Sequence, residues 1–213
     1  MFVEATRRGF LRKCLQESKI SCNFAVEKTL DTFNNTHIMK RLIIIFAVLL
    51  ATTSMMADEF KIGKLTFETI SSTEVALIDA EYDISNVFLG ETIDYKGKTY
   101  AVTSIGELAF RDRTALTSIA IPKSVTSIGW YTFDGTALYD NPANWENGAL
   151  YINNCLIKVD KDFVGHFRIK ENTRVIADGA FRDCKSLTSV TIPNSKTIIG
   201  FGAFPEHTQI IRQ

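Results

Sequence analysis

The 213-residue chain is 46% apolar and 23% charged, which excludes a disordered polymer, and its 12 glycines and 4 cysteines exclude collagen-like and disulfide-dense classes. Its 24 basic and 24 acidic residues cancel only in the sum. Residues 1–57 carry 8 basic and 4 acidic groups, leaving 16 and 20 beyond them, so the remainder has a net charge of −4 and lacks the footprint of a nucleic-acid binder.

Residues 1–38, with Cys14 and Cys22, follow neither a strand nor an amphipathic-helix period. Met39-Lys40-Arg41 then precedes the apolar run 42–51 (LIIIFAVLLA), and residues 52–57 lead into Asp58-Glu59. The order of charged, apolar and small residues marks 39–57 as a secretory signal peptide with cleavage after Ala57. Ten apolar residues fall short of the roughly 20 that span a bilayer. The simplest account of 1–38 is a start assigned too far upstream, with translation beginning at Met39; a genuine extension is the rival. No cysteine follows the apolar run where lipid attachment needs one. The expected compartment is outside the cytoplasm: secreted, periplasmic or cell surface, with the membrane met only through the leader before cleavage.

Over 58–100, Phe60-Ile62, Leu65-Phe67 and Val75-Leu77 alternate with polar residues around Gly63-Lys64 and Ser71-Ser72, which predicts a small N-terminal antiparallel β cap. From 101 to 213 the chain repeats itself. Ile105-Gly106 recurs as Ile128-Gly129, Phe110 as Phe133, Ile176 as Ile199, Phe181 as Phe204 and Ile169 as Ile192, a period of 23 that predicts a solenoid. Residues 103–125 return 71 positions later as 174–196, three periods plus two residues, so one coil between them is rebuilt.

Each coil carries the triplet L-x-x-I-x-I: Leu116, Ile119, Ile121; then Val164, Phe167, Ile169; then Leu187, Val190, Ile192. This is the strand signature of leucine-rich repeats. Alternation turns Ile119 and Ile121 inward and Ser118 and Ala120 outward, and one strand per coil stacks into a parallel sheet. Pro122 and Pro193 end their strands. Val125, Ile128 and Ile199 re-enter the core on the opposite wall. Short turns at 106–110 and 179–181 then deliver Phe110, Phe133, Phe181 and Phe204 into one interior stack. The irregular stretch 139–162 contains 149–152 and 155–159 flanking Asn153-Asn154, a two-residue hairpin turn that replaces one normal coil. Residues 209–212 form a last capping strand. The expected fold is a β-rich solenoid of about four 23-residue coils with short helical turns, one hairpin coil and the β cap.

The phrases TSIGELAFRDRTALTSIAIPKSVTSIGWYTF, ADGAFRDCKSLTSVTIPNS and YKGKTYAVTSIG resemble the BspA-like leucine-rich repeats, a family of secreted and cell-surface proteins of bacteria and some mucosal protists. ENGALYINNCLIKV is similar to an insertion common in that family. The resemblance covers about residues 60–204 and implies a protein–protein or host-matrix adhesion role, with no family catalytic residues to carry over. The array is short, and no C-terminal sorting or cell-wall domain is read, which leaves anchoring open.

Residues beyond 57 include His166, His207, Cys155 and Cys184. His166 falls on the outward phase of its strand, and His207 takes the position held by Cys184 one coil earlier. Cys184 fills a slot occupied by Arg113 and Thr136 in other coils, so a buried structural thiol is expected; a Cys155–Cys184 disulfide is the alternative in an exported protein. Asp160-Lys161-Asp162 begins like a calcium loop but lacks the later ligands. There is no G-x-S-x-G, H-E-x-x-H, phosphate loop or C-x-x-C. We therefore expect no enzyme, no cofactor and no metal.

Two faces compete as the binding surface. The aromatics suited to anchoring a partner are Trp130, Tyr131, Tyr139 and Trp145, all near the irregular coil. The exposed strand face offers Thr117, Ser118, Ala120, Gly165, His166, Arg168, Thr188, Ser189 and Thr191, although hydroxyl ladders also suit any exposed sheet. The expected function is a non-catalytic recognition or adhesion module for an extracellular protein or glycan. Its rivals are a structural component of a surface assembly and, last, an exported hydrolase.

Overall fold

The computed structural model describes residues 57–213, so the extension and leader readings lie outside the described residues except at Ala57. Among the described residues no helix is long and apolar enough to cross a membrane. The N-terminal strands are β1 (Glu59–Ile62), β2 (Leu65–Thr69) and β3 (Glu74–Ala80), paired antiparallel in chain order. Their alternation buries Phe60, Phe67, Val75 and Leu77. The next strands are β4 (Asn86–Phe88), β5 (Thr92–Tyr95) and β6 (Lys98–Ile105). β5 pairs antiparallel with β6, but β6 lies parallel to β3. The expected antiparallel cap is thus a mixed sheet, because β6 also opens a wall of the solenoid.

The coil strands follow: β7 (Ser118–Ala120), β8 (Ser127–Ile128), then a one-turn helix α1 (Ala137–Asp140) and a 3-10 turn (Pro142–Asn144), then β9 (Trp145–Glu146), β10 (Ala149–Ile152) and β11 (Cys155–Val159). The last are β12 (Val164–Arg168), β13 (Val175–Ile176), β14 (Ser186–Ile192), β15 (Ile198–Ile199) and β16 (Gln209–Arg212). One wall holds the parallel pair β4–β7 and the parallel trio β12–β14–β16. The other wall runs β6–β8 and β11–β13–β15, also parallel. Val87 stands opposite Ile119, so the parallel stack begins at β4, ahead of the residue-101 boundary read from sequence. With β4 opening the stack and β16, the expected capping strand, closing it, the solenoid has about six turns against the expected four.

The single sheet expected along the first wall is interrupted between β7 and β12. The hairpin β10–β11 occupies that level, with Asn153 and Asn154 at φ 45° and 62°, as a two-residue type I′ turn requires. The side chain of Asn153 accepts the Ile121 N–H at 2.9 Å and so closes the edge that β7 leaves open. On the second wall the coils meet again past the hairpin, where the Asp178 N–H donates to the Ile128 carbonyl at 2.9 Å.

Inside, Phe110 and Phe133 stack at 5.6 Å, and Phe181 and Phe204 lie 5.0 Å apart. The first three rings are fully buried and Phe204 is partly buried at the last coil. Between the two pairs stands Val159, whose N–H donates to Ala180 as those of Phe110 and Phe181 donate to Thr132 and Ala203. The column is therefore two pairs separated by a Val, and the core divides into an N-terminal and a C-terminal cluster. Val164 departs from its expected inward place and is 73% exposed. A register shift after Gly165 sets Gly165, not Val164, opposite Leu187. Thr191, expected outside, is buried in the central strand of its trio, within 3.2 Å of His166 Nε2.

Candidate functional site

The irregular coil is built from local signals. Thr136 caps α1 by accepting the Tyr139 N–H at 3.1 Å, and Asn141 caps the following 3-10 turn by accepting the Ala143 N–H at 3.0 Å. These turns bring Tyr139 and Trp145 edge to face at 5.3 Å, and the indole N–H donates to the Tyr139 carbonyl at 2.8 Å. Both rings are half-buried and pack on the N-terminal core.

Three of the four aromatics singled out in the sequence, Tyr131, Tyr139 and Trp145, line one open cleft of about 350 Å³. Trp130 does not. Its ring packs over Gly179 and Gly202, with the Arg182 guanidinium 4.8 Å above it, so it serves to fasten neighbouring coils. The cleft is completed by Asp134, Asp183 and Lys158, which sequence reasoning missed, and by Asp160 and Lys161, which the sequence marks as part of a turn. A signal for the first two existed, since an acidic residue follows each fully buried Phe by one or two positions, as Asp112, Asp134 and Asp183.

Lys158 bonds Asp183 at 2.8 Å and lies 5.9 Å over the Tyr131 ring, and this partner holds the Asp183 carboxyl below its ordinary range. Asp160 uses one oxygen to accept the Asp162 N–H at 3.0 Å, a turn of the kind expected for Asp160-Lys161-Asp162. Burial pushes the Asp134 carboxyl up, with Lys158 and Arg111 opposing. The Tyr139 phenol is pushed up to about 12, first by burial and then by Asp134, Asp140, Asp183 and Asp160. The site is thus an aromatic wall facing carboxylates of which one is well paired.

The alternative face is differently made. Ser118 Oγ donates to Asn86 at 2.6 Å, Thr117 Oγ1 donates to the Ser85 carbonyl at 3.1 Å, and His166 Nδ1 shares a hydrogen bond with Ser189 Oγ at 2.7 Å. Arg168 donates to Gln213 at 3.1 Å. Thr188 is exposed and Ser189 half-buried. The interruption at the hairpin separates Thr117 and Ser118 from His166, Arg168, Thr188 and Ser189, so these residues form two patches. Cys155 and Cys184 are free and buried, and burial pushes each thiol up to about 11. His207 is exposed. Among the described residues no cluster of three or more metal-ligating side chains occurs.

A family model described as BspA type Leucine rich repeat region matches in six copies, over residues 59–141 and 85–211. No curated protein matches. Solved structures similar to the chain include a leucine-rich repeat protein from Bacteroides capillosus, 15% identical, covering 73% of this chain and 98% of that one with a TM-score of 0.34. The Treponema pallidum leucine-rich repeat protein is 16% identical, with 73% and 86% covered and a TM-score of 0.38. A leucine rich cell surface protein from Faecalibacterium prausnitzii is 15% identical over 70% of this chain and 52% of its own, with a TM-score of 0.34.

Proposed function

Because this chain belongs to the BspA-type leucine-rich repeat family, we propose that it acts at the cell surface or beyond it as a non-catalytic recognition module for an extracellular protein or glycan. The observation that carries this reading is the convergence of Tyr131, Tyr139 and Trp145 on one cleft at the only rebuilt coil among the described residues. Rigid aromatic rings bury large area at small entropic cost, which is why they dominate binding hot spots. The hydroxyls of Thr117, Ser118 and Ser189 on the strand face, by contrast, already bond to the Ser85 carbonyl, the Asn86 amide and the His166 ring.

The test is a binding screen of the chain against matrix proteins and glycans, with Tyr139→Ala, Trp145→Ala and Trp130→Ala compared with wild type. Loss of binding in the first two supports the cleft. Binding that survives them but is lost with Thr117→Lys plus Thr188→Lys transfers recognition to the strand face. A second reading, assembly with other copies, is favoured by the apolar end of the solenoid, where Ile198, Phe201, Ile210 and Ile211 are exposed beside the edge strand β16. Concentration-dependent oligomers without ligand binding would select it.

A further inference from the structure

We propose that the cleft receives a cationic side chain, an arginine or lysine presented by a protein partner. The inference rests on the recognition reading above and names the chemistry of what is recognised.

Charge is the first ground. Three carboxylates, Asp134, Asp160 and Asp183, face two ammonium groups, Lys158 and Lys161. Lys158 and Asp183 satisfy each other at 2.8 Å, and Asp160 is partly engaged by the Asp162 N–H. Asp134 is half-buried, and among the described residues its carboxylate accepts no hydrogen bond. A carboxylate partly drawn out of water, with only the longer-range charges of Lys158 and Arg111 to offset this, costs stability, and an incoming cation lowers that cost while a neutral ligand does not. The upward push on the Asp134 carboxyl is the same desolvation expressed as proton affinity.

The walls are the second ground. Tyr139 and Trp145 offer ring surfaces on which a guanidinium or ammonium is held electrostatically, beside Tyr131, over which Lys158 already lies at 5.9 Å. The protein already uses this combination on itself. The Arg113 guanidinium lies 4.2 Å over Tyr82 while pairing with Asp79, and the Lys170 ammonium lies 4.5 Å over Tyr151 while pairing with Glu146 at 2.6 Å. In the cleft Lys158, over Tyr131 and paired with Asp183, completes that arrangement once, and Tyr139, Trp145 and Asp134 repeat its aromatic-and-carboxylate half. At about 350 Å³ it is near the lower end of the range for ligand sites, roughly 300–1,000 Å³, and takes one or two long side chains.

The experiment measures binding of a labelled eight-residue Gly-Arg repeat peptide to the full chain by fluorescence anisotropy. It runs beside the same peptide with citrulline in place of arginine, and a neutral oligosaccharide. The arginine peptide is expected to bind at least about tenfold more tightly than its citrulline counterpart and to weaken with salt. Asp134→Asn should weaken the arginine peptide about tenfold and leave the citrulline peptide unchanged. Glu171→Gln removes the same charge from an exposed site outside the cleft, and should change binding by less than about twofold. Near-ultraviolet circular dichroism checks that each variant is folded. Equal binding of the two peptides, no effect of Asp134→Asn, or no binding of the arginine peptide overturns the inference. If the oligosaccharide binds and is lost in Tyr139→Ala and Trp145→Ala but not in Asp134→Asn, the cationic occupant falls while the recognition reading stands. If Tyr139→Ala and Trp145→Ala leave all binding intact, the cationic occupant and the cleft as the recognition site both fall.

Discussion

Arg113 stands in the same slot of its coil as Thr136 and Cys184, each of whose backbone N–H groups donates to the carbonyl of the Phe three residues earlier. Its side chain does more than fill the slot. Nε donates to the Ala80 carbonyl at 2.7 Å, one terminal nitrogen donates to the Arg111 carbonyl at 2.8 Å, and the other pairs with Asp79. Removing it takes a donor from the Ala80 and Arg111 carbonyls and the guanidinium from the Asp79 carboxylate, which is left with the Ala80 N–H. Arg113→Met should therefore destabilise the fold by about 2–4 kcal/mol in urea unfolding, while Thr136→Val, which loses one hydroxyl, should cost about 1 kcal/mol. Asp134 works the other way. Its folded-state pKa lies above the ordinary 3.8, so the folded state binds a proton more readily than the unfolded chain and loses stability as pH rises through that range. Asp134→Asn removes this cost. The variant should unfold at higher urea than wild type at pH 7, and the difference should shrink toward zero at pH 3. An unchanged difference at the two pH values would show that the carboxylate is not desolvated.

Elements in this protein are short, and their turns carry much of the specification. The β1–β2 turn uses Gly63 at φ +58°, with open space where a Cβ would stand. Gly179, at φ +61°, has the Trp130 ring lying where its Cβ would be. Alanine at Gly63 should cost only the left-handed backbone penalty, about 1–2 kcal/mol. Gly179→Ala adds displacement of the ring that joins neighbouring coils, and should cost at least about 2 kcal/mol more. Thermal melts of the two variants measure the difference, and equal costs would mean that Trp130 is free to move aside. The strand bounds of the hairpin β10–β11 match the sequence reading residue for residue, because the two-residue turn Asn153-Asn154 between two short apolar runs is a local signal, whereas the register shift between Leu150 and Tyr151 is not. β4 was missed for the converse reason. Three residues, Asn86–Phe88, are too few to show a period, and only the partner 32 positions later makes them a strand.

For the whole molecule, a stack in which each coil touches its neighbours behaves as a chain of local stabilities. The division of the core into two clusters gives this a consequence. Phe181 is fully buried in the C-terminal cluster, so Phe181→Ala should cost about 3–5 kcal/mol, and Phe204→Ala at the partly covered last ring should cost less. Hydrogen exchange should then show faster opening of β12, β14 and β16, while amides of Val75, Leu77 and Val102 in the N-terminal cluster keep their protection. Uniform acceleration throughout would mean that the two clusters unfold as one unit.

The sequence by itself determined the coil period, the inward phase of Ile119, Ile121, Val190 and Ile192, the hairpin, the buried Phe residues and the aromatics of the cleft. All of these rest on patterns repeated within one coil or on turn chemistry of two residues. What only the tertiary structure decided depends on distant pairs. Arg174 reaches across 49 and 52 positions to the carbonyls of Val125 and Pro122. A register shift against β14 turns Val164 outward. Asp134, Asp183 and Lys158 share a cleft because the rebuilt coil sets residues 134, 158 and 183 at neighbouring levels of the stack. The physical reason is that local sequence specifies dihedral angles and the apolar side of each strand, whereas the partner of a charge is fixed only when the coils close on one another.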